Sequence, residues 1–164
     1  MVVKFKKTAN GTKTKGKKKF YITTAIAYPN SKPHLGHALE IVQADIAARF
    51  YRLLGKDVFF QTGTDEHGIK NWQSAQKEGK DVLDFLDGNV RIFKELYEKL
   101  GISYDNFVRT TDKKTHYPGA IKLWERLVES GDIYKKLYKG LYCTGCESFK
   151  TENAMTTQQE KSRL

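Results

Sequence analysis

His34 and His37 flank Gly36 in the stretch SKPHLGHALE, three residues apart and directly after Pro33. If a helix begins there, its first backbone N–H groups lack partners and its dipole is positive, so the position favours an anion. Gly36 carries no side chain where a nucleotide would have to approach closely. Two imidazoles one turn apart can then donate hydrogen bonds to the same phosphate. In the alternative reading they are solvent-facing caps beside an ordinary turn. A second cluster, TGTDEHG at residues 62 to 68, crowds Asp65, Glu66 and His67. Its polar groups suit an ammonium ion, a metal or a ribose; equally, it could be a turn in which Asp65 caps the next helix. CTGC, residues 143 to 146, holds the chain's two cysteines. A redox pair would open a helix whose dipole lowers a thiol pKa, whereas the Tyr- and Gly-rich surroundings suit a metal knuckle. A structural zinc site needs four ligands. The last histidine is His116, so Cys143 and Cys146 are at most half of such a site.

The scaffold that must position these groups is readable from periodicity. FYITTAIAY, residues 20 to 28, is β-branched and aromatic and predicts a buried strand. A helix is expected from near Leu35 to Leu54, closed by Gly55. Leu35, Leu39, Val42, Ile46, Phe50 and Leu53 recur three or four apart and predict its buried face, with Glu40, Gln43, Asp45 and Arg49 outside. DVFFQTGTD, residues 57 to 65, predicts a second buried strand. Strand, helix and strand make a βαβ unit with parallel pairing and a right-handed crossover. The expected fold class is therefore α/β, a doubly wound parallel sheet. Such sheets bind ligands at the carboxyl ends of their strands, where both His34–His37 and TGTDEHG fall. Val82, Phe85, Leu86, Phe93, Leu96, Tyr97 and Leu100 predict a second long helix, closed by Gly101. NFVRTT predicts a short strand, Pro118 the first turn of a further helix ending at Gly131, and residues 132 to 149 a small β-hairpin. There are no internal repeats.

Composition sets the outer limits. With 164 residues, 39% hydrophobic and 12% aromatic, the chain can bury a real core. No apolar run approaches the roughly 18 to 20 residues that span a bilayer, and no apolar stretch follows the N-terminal charges as a secretory signal requires. Two cysteines fit a reducing compartment better than a disulfide framework. The net charge of +10 is concentrated at one end, because residues 1 to 19 hold eight Lys and no acid. That segment has the composition of a disordered tail. It could act as an electrostatic arm on nucleic acid or simply be a solvated leader.

Taken together, ITTAIAYPNSKPHLGHALEIVQADIAARF, FFQTGTDEHG, GISYDNFVRTT and GDIYKKLYKGLYCTGCESFKTE resemble, in order and nearly without gaps, the N-terminal part of the methionyl-tRNA synthetases. HLGH is a signature common to class I synthetases; TGTDEHG and LYCTGCE are narrower and point to methionine. The resemblance covers residues 20 to about 152. It implies an ATP-binding device in His34, Gly36 and His37, whose histidines stabilise phosphates during adenylate formation, with Glu40 near the adenosine. It implies Ile26 and Tyr28 lining the methionine pocket and Asp65 holding the substrate's α-ammonium. Cys143 and Cys146 correspond to the first ligand pair of a zinc knuckle. The implied substrates are methionine, ATP with Mg2+, and tRNA(Met); a zinc ion is implied for a longer parent, and a cytoplasmic or organellar location.

On this resemblance, residues 20 to 114 form the first half of a Rossmann-like catalytic domain, and residues 115 to 164 begin a small zinc-knuckle insertion. A KMSKS-like lysine loop, a second ligand pair and a helical anticodon-binding domain do not occur in the sequence. The expectation is an N-terminal fragment that is inactive alone. Two other classes share single features with this chain. A small standalone HxGH nucleotidylyltransferase would need a late Ser/Thr-Arg phosphate segment and gives no reason for TGTDEHG or CTGC. A non-catalytic synthetase-like module would bind RNA through the Lys-rich tail.

Overall fold

The computed structural model describes residues 16–143 and 145–150. The expectations placed on most of the basic tail, and on the end of the presumed insertion, fall outside those residues.

The strands β1 (Lys19–Thr23), β2 (Asp57–Thr64) and β3 (Asn106–Arg109) form one parallel sheet in the order β1-β2-β3. Helix α1 (Leu35–Leu53) crosses from β1 to β2, and α2 (Ile69–Lys77) and α3 (Val82–Lys99) lie between β2 and β3. Sequential order with right-handed crossovers places both crossings on the same face. Accordingly, Ile41, Ala44 and Ala48 of α1 share one core cluster with Phe60 of β2 and Phe93 and Tyr97 of α3. Full burial of Phe60, Phe93 or Ile41 contributes about 1.5–3 kcal/mol each. The opposite face presents the stacked rings of Tyr21 and Phe59, 5.9 Å apart and exposed. The parallel α/β sheet is as expected, but among the described residues the helices of its core cluster lie on one face only.

β1 is shorter than its apolar run. The ladder ends at Thr24, whose N–H donates to the Gln61 carbonyl at 3.3 Å, and the next N–H, that of Ala25, donates to Glu40 Oε1 at 2.8 Å. Pairing resumes only as a single bridge, Ala27 to Thr64. Helix α1 has the expected length, and Gly55, at φ +76°, supplies the left-handed residue that turns the chain after it. Its buried face is not the expected one. Ile41, Ala44, Asp45 and Ala48 face the core, while Leu35 and Leu53 are 85% and 86% exposed and Leu39, Ile46 and Phe50 are exposed too. Two alanines let the helix approach the sheet closely. Asp45 is tolerated inside because it accepts from Ser103 N (2.7 Å), Ser103 Oγ (2.5 Å) and Arg49 Nε (2.5 Å).

Helix α2 was not expected from periodicity, since its buried residues are Asn71 and Ala75. Asn71 is held by a bond from Nδ2 to the Asp65 carbonyl at 2.9 Å. Helix α3 starts at Asp81, whose Oδ1 accepts from Leu83 N and Asp84 N. Helix α4 (Tyr117–Glu129) carries Pro118 in its first turn and has no buried residue among those described. A two-stranded antiparallel hairpin, β4 (Leu141–Cys143) and β5 (Ser148–Lys150), matches the hairpin expected near residues 132 to 149.

Candidate active site

The first turn of α1 is held by the histidines themselves. His34 is the N-cap, with extended backbone, and its Nδ1 accepts from Gly36 N at 3.1 Å. His37 Nδ1 in turn accepts from His34 N, also at 3.1 Å. This is the reciprocal box usually built from Ser or Thr and Glu. A ring nitrogen that accepts carries no hydrogen, so each neutral imidazole bears its proton on Nε2. The rings stack with centroids 3.9 Å apart, and the edge of His37 meets Phe93 at 5.2 Å. Burial, and then the neighbouring His34, push the His37 pKa below its ordinary value, with Glu40 pulling partly the other way. At neutral pH His37 is therefore uncharged. The capping reading therefore holds for both rings through Nδ1, while Nε2 makes no hydrogen bond among the described residues. Glu40 anchors the break in β1 through Ala25, while its Oε2 makes no hydrogen bond among the described residues.

The second cluster follows the carboxyl end of β2, the strand paired in parallel with β1. The Asp65 N–H donates to the Ala27 carbonyl at 2.9 Å. Together with the Ala27–Thr64 bridge, this sets Ile26 and Tyr28 alongside Asp65 at the carboxyl edge of the sheet. Ile26 is exposed and Tyr28 half-buried. The Asp65 carboxylate makes no hydrogen bond among the described residues, which leaves it available to a cation. His67 does not join it; its Nε2 lies 3.1 Å from the Thr110 carbonyl on the far side of the turn.

Of the three polar residues crowded in TGTDEHG, Glu66 is the one that fixes this turn. Glu66 has a side chain with 0% exposure and accepts from Thr64 Oγ1 (2.6 Å), Arg109 Nε (2.7 Å), Arg109 Nη2 (3.0 Å) and Thr111 Oγ1. Its backbone N–H donates to Thr110 Oγ1 at 2.7 Å. Burial pushes the Glu66 carboxyl up, but the donors from Arg109, Thr111 and Thr64 outweigh it, and the net shift is downward. Arg109 also reaches Asp87 of α3 at 2.6 Å. The signal was present only in the register. Thr64 pairs with Arg109, so an acid just past the end of β2 must meet a base at the end of β3.

Cys143 and Cys146 sit across the hairpin turn, with Cys146 N donating to Cys143 Sγ at 3.4 Å. That backbone donor, above the other causes, holds the Cys143 thiol below its ordinary pKa. Among the described residues no group of three or more His, Cys, Asp or Glu is arranged to hold a metal ion. Two thiols do not complete a tetrahedral zinc site.

A family model described as "tRNA synthetases class I (M)" matches residues 20–160. The chain belongs to that family. The resemblance to the methionyl-tRNA synthetases is thereby borne out. The methionine--tRNA ligase of Brucella suis is 49% identical over 133 residues, covering 81% of this chain and 26% of that relative. The Clostridium tetani ligase is 50% identical over 139 residues, covering 85% of this chain and 22% of that relative. Among solved structures, the Mycobacterium tuberculosis methionyl-tRNA synthetase in complex with methionyl-adenylate superposes with a TM-score of 0.79 at 46% identity, covering 83% of this chain and 26% of that one. The synthetase-family chain thus spans about a quarter of the length of these relatives. No helix among its described residues is long and apolar enough to cross a membrane.

Proposed function

We propose that the chain carries the ATP end and the amino-acid end of a methionine-activating site, and acts in charging tRNA(Met) within a longer protein. The observation that carries this reading is the pair of stacked histidines with free Nε2–H groups at the start of α1, after β1; Asp65, after the carboxyl end of the neighbouring strand β2, has a carboxylate left open to a cation. In the reaction, the methionine carboxylate attacks the α-phosphate of Mg2+-bound ATP, pyrophosphate leaves, and the adenylate is passed to the terminal ribose of tRNA. Charge grows on phosphate oxygens in the first step, so donors already in place lower the barrier more than a base would. His34 and His37 supply such donors, and the helix N-terminus adds its partial positive charge. Asp65 pairs with the α-ammonium, Ile26 and Tyr28 wall the side-chain pocket, and Gly36 and Glu40 lie on the nucleotide side. Cys143 and Cys146 are assigned to half of a zinc knuckle whose other ligands come from outside the described residues. We assign residues 20–114 to the catalytic domain, residues 115–164 to the insertion, the Lys-rich tail to nonspecific RNA contact, and the protein to the cytoplasm.

Binding to the chain itself tests the reading. Calorimetry with L-methionine and with ATP should show both ligands bound. Asp65→Ala should abolish methionine binding and leave ATP binding, whereas His37→Ala should do the reverse. Loss of both by either variant, in a protein that remains folded, or binding of neither by the unsubstituted chain, refutes the assignment.

A further inference from the structure

Tyr28 is held by two segments far from it in sequence. Against its ring lies Gly68, at the end of TGTDEHG. A Cβ there would come within 3.1 Å of the Tyr28 ring, so the ring occupies the space that glycine leaves. Next to that glycine stands Glu147, the residue after Cys146, its Oε1 3.5 Å from where the Cβ would be. Its Oε2 accepts from the Tyr28 hydroxyl at 2.8 Å, a bond that joins positions 119 residues apart. Glu147 is the only described non-glycine residue with a positive φ, at +52°. A side chain held in the left-handed region costs about 1 kcal/mol or more, so the turn accepts strain in the conformation that aims this carboxylate at Tyr28. The second oxygen, Oε1, is buried without a hydrogen-bond partner among the described residues. The carboxylate therefore lies against Tyr28 and Gly68 rather than spreading into solvent.

We propose that Glu147 is a positioning residue for the amino-acid subsite: it fixes the Tyr28 ring beside Asp65 and docks the Cys143–Cys146 turn onto that wall. The inference rests on the reading of Tyr28 and Asp65 as amino-acid contacts. Through this bond the hairpin, otherwise an appendage with exposed Leu141, Tyr142 and Phe149, becomes the outer support of the pocket. Tyr28 belongs to the segment bridged to β2 through Ala27. A ring set free by losing its hydroxyl partner could swing toward the Asp65 side and narrow the space for the substrate's side chain.

The test compares the full chain with Glu147→Ala, Glu147→Gln and Tyr28→Phe, measuring dissociation constants for L-methionine and for ATP separately. Glu147→Ala should weaken methionine by about tenfold, the size expected for losing one charge-assisted hydrogen bond, with ATP affinity moving less than twofold. Glu147→Gln keeps an acceptor and should recover most of the loss. In the Tyr28→Phe background, Glu147→Ala should add nothing further. Methionine binding that Glu147→Ala leaves unchanged overturns the assignment, as does an equal loss for both ligands, which marks a merely structural role. Absence of methionine binding by the unsubstituted chain overturns the functional reading first and this assignment with it, so the two failures are distinguishable.

Discussion

Glu66→Gln isolates the contact that fixes the catalytic edge. The substitution keeps the shape of a side chain that is fully buried and removes its charge. The carboxylate accepts from Thr64, from Thr111 and twice from Arg109. An amide offers one accepting oxygen, and its NH2 group must face donors. Arg109 keeps only Asp87, which is 62% exposed and therefore a screened partner. Breaking a buried pair from one side costs about 3–5 kcal/mol; with Asp87 retained, the lower end applies. A loss of about 3 kcal/mol against a urea slope of about 1.5–2 kcal/mol/M moves the unfolding midpoint down by about 1.5–2 M. Urea unfolding followed by circular dichroism measures this directly, with Asp87→Asn as a control expected to cost less than about 1 kcal/mol. The acid limb supplies a second check. The folded pKa of Glu66 lies below its unfolded value, so its contribution is present in full above about 4.5 and is lost as pH falls through the folded pKa. In Glu66→Gln that part of the pH dependence disappears. A midpoint shift below about 0.5 M, equivalent to about 1 kcal/mol at that slope, refutes the reasoning.

Two further outcomes follow from the same geometry. His37 has a folded pKa below the ordinary 6.5, so its capping contribution is complete above that pH and declines as pH falls through the folded value; thermal melts from pH 7.5 to 5 should lose about 1 kcal/mol that His37→Gln no longer shows. The face of α1 is tested by a contrast: Asp45→Ala, which strips partners from Ser103 and Arg49, should cost about 2–4 kcal/mol, while Leu53→Ser should change stability by less than about 0.5 kcal/mol, both by urea unfolding.

What could be read in advance followed from strong local patterns. The apolar run before TGTDEHG is continuous enough to be a parallel strand, and the spacing from Val82 to Leu100 can only be a helix. The α1 face could not be read the same way. Its large residues form the more obvious stripe, but the sheet accepts the smaller one, because Ala44 and Ala48 allow close approach and Asp45 finds partners at Ser103. Helix α2 escaped notice because its buried side chains are an asparagine and an alanine. The histidines, Asp65 and the cysteines stood out as residue types capable of chemistry. Glu66 stood out only as one of the polar groups of TGTDEHG; its pairing with Arg109 did not, since strand register alone makes them a pair. Glu147 was hidden further still, because its partner Tyr28 lies 119 residues away.

The central claim is that His34, His37 and Asp65 form the two ends of one activating site. A chimera in which residues 20–150 replace the corresponding segment of the Clostridium tetani ligase, its relative at 50% identity, allows that claim to be tested as catalysis. Methionine-dependent ATP–pyrophosphate exchange by the chimera should fall by a factor of about 100 or more on His34→Ala or His37→Ala, the effect of losing one oxyanion donor. Asp65→Ala should act mainly by raising the KM for methionine. Exchange that survives either histidine substitution within about twofold, against that expected loss, contradicts the account.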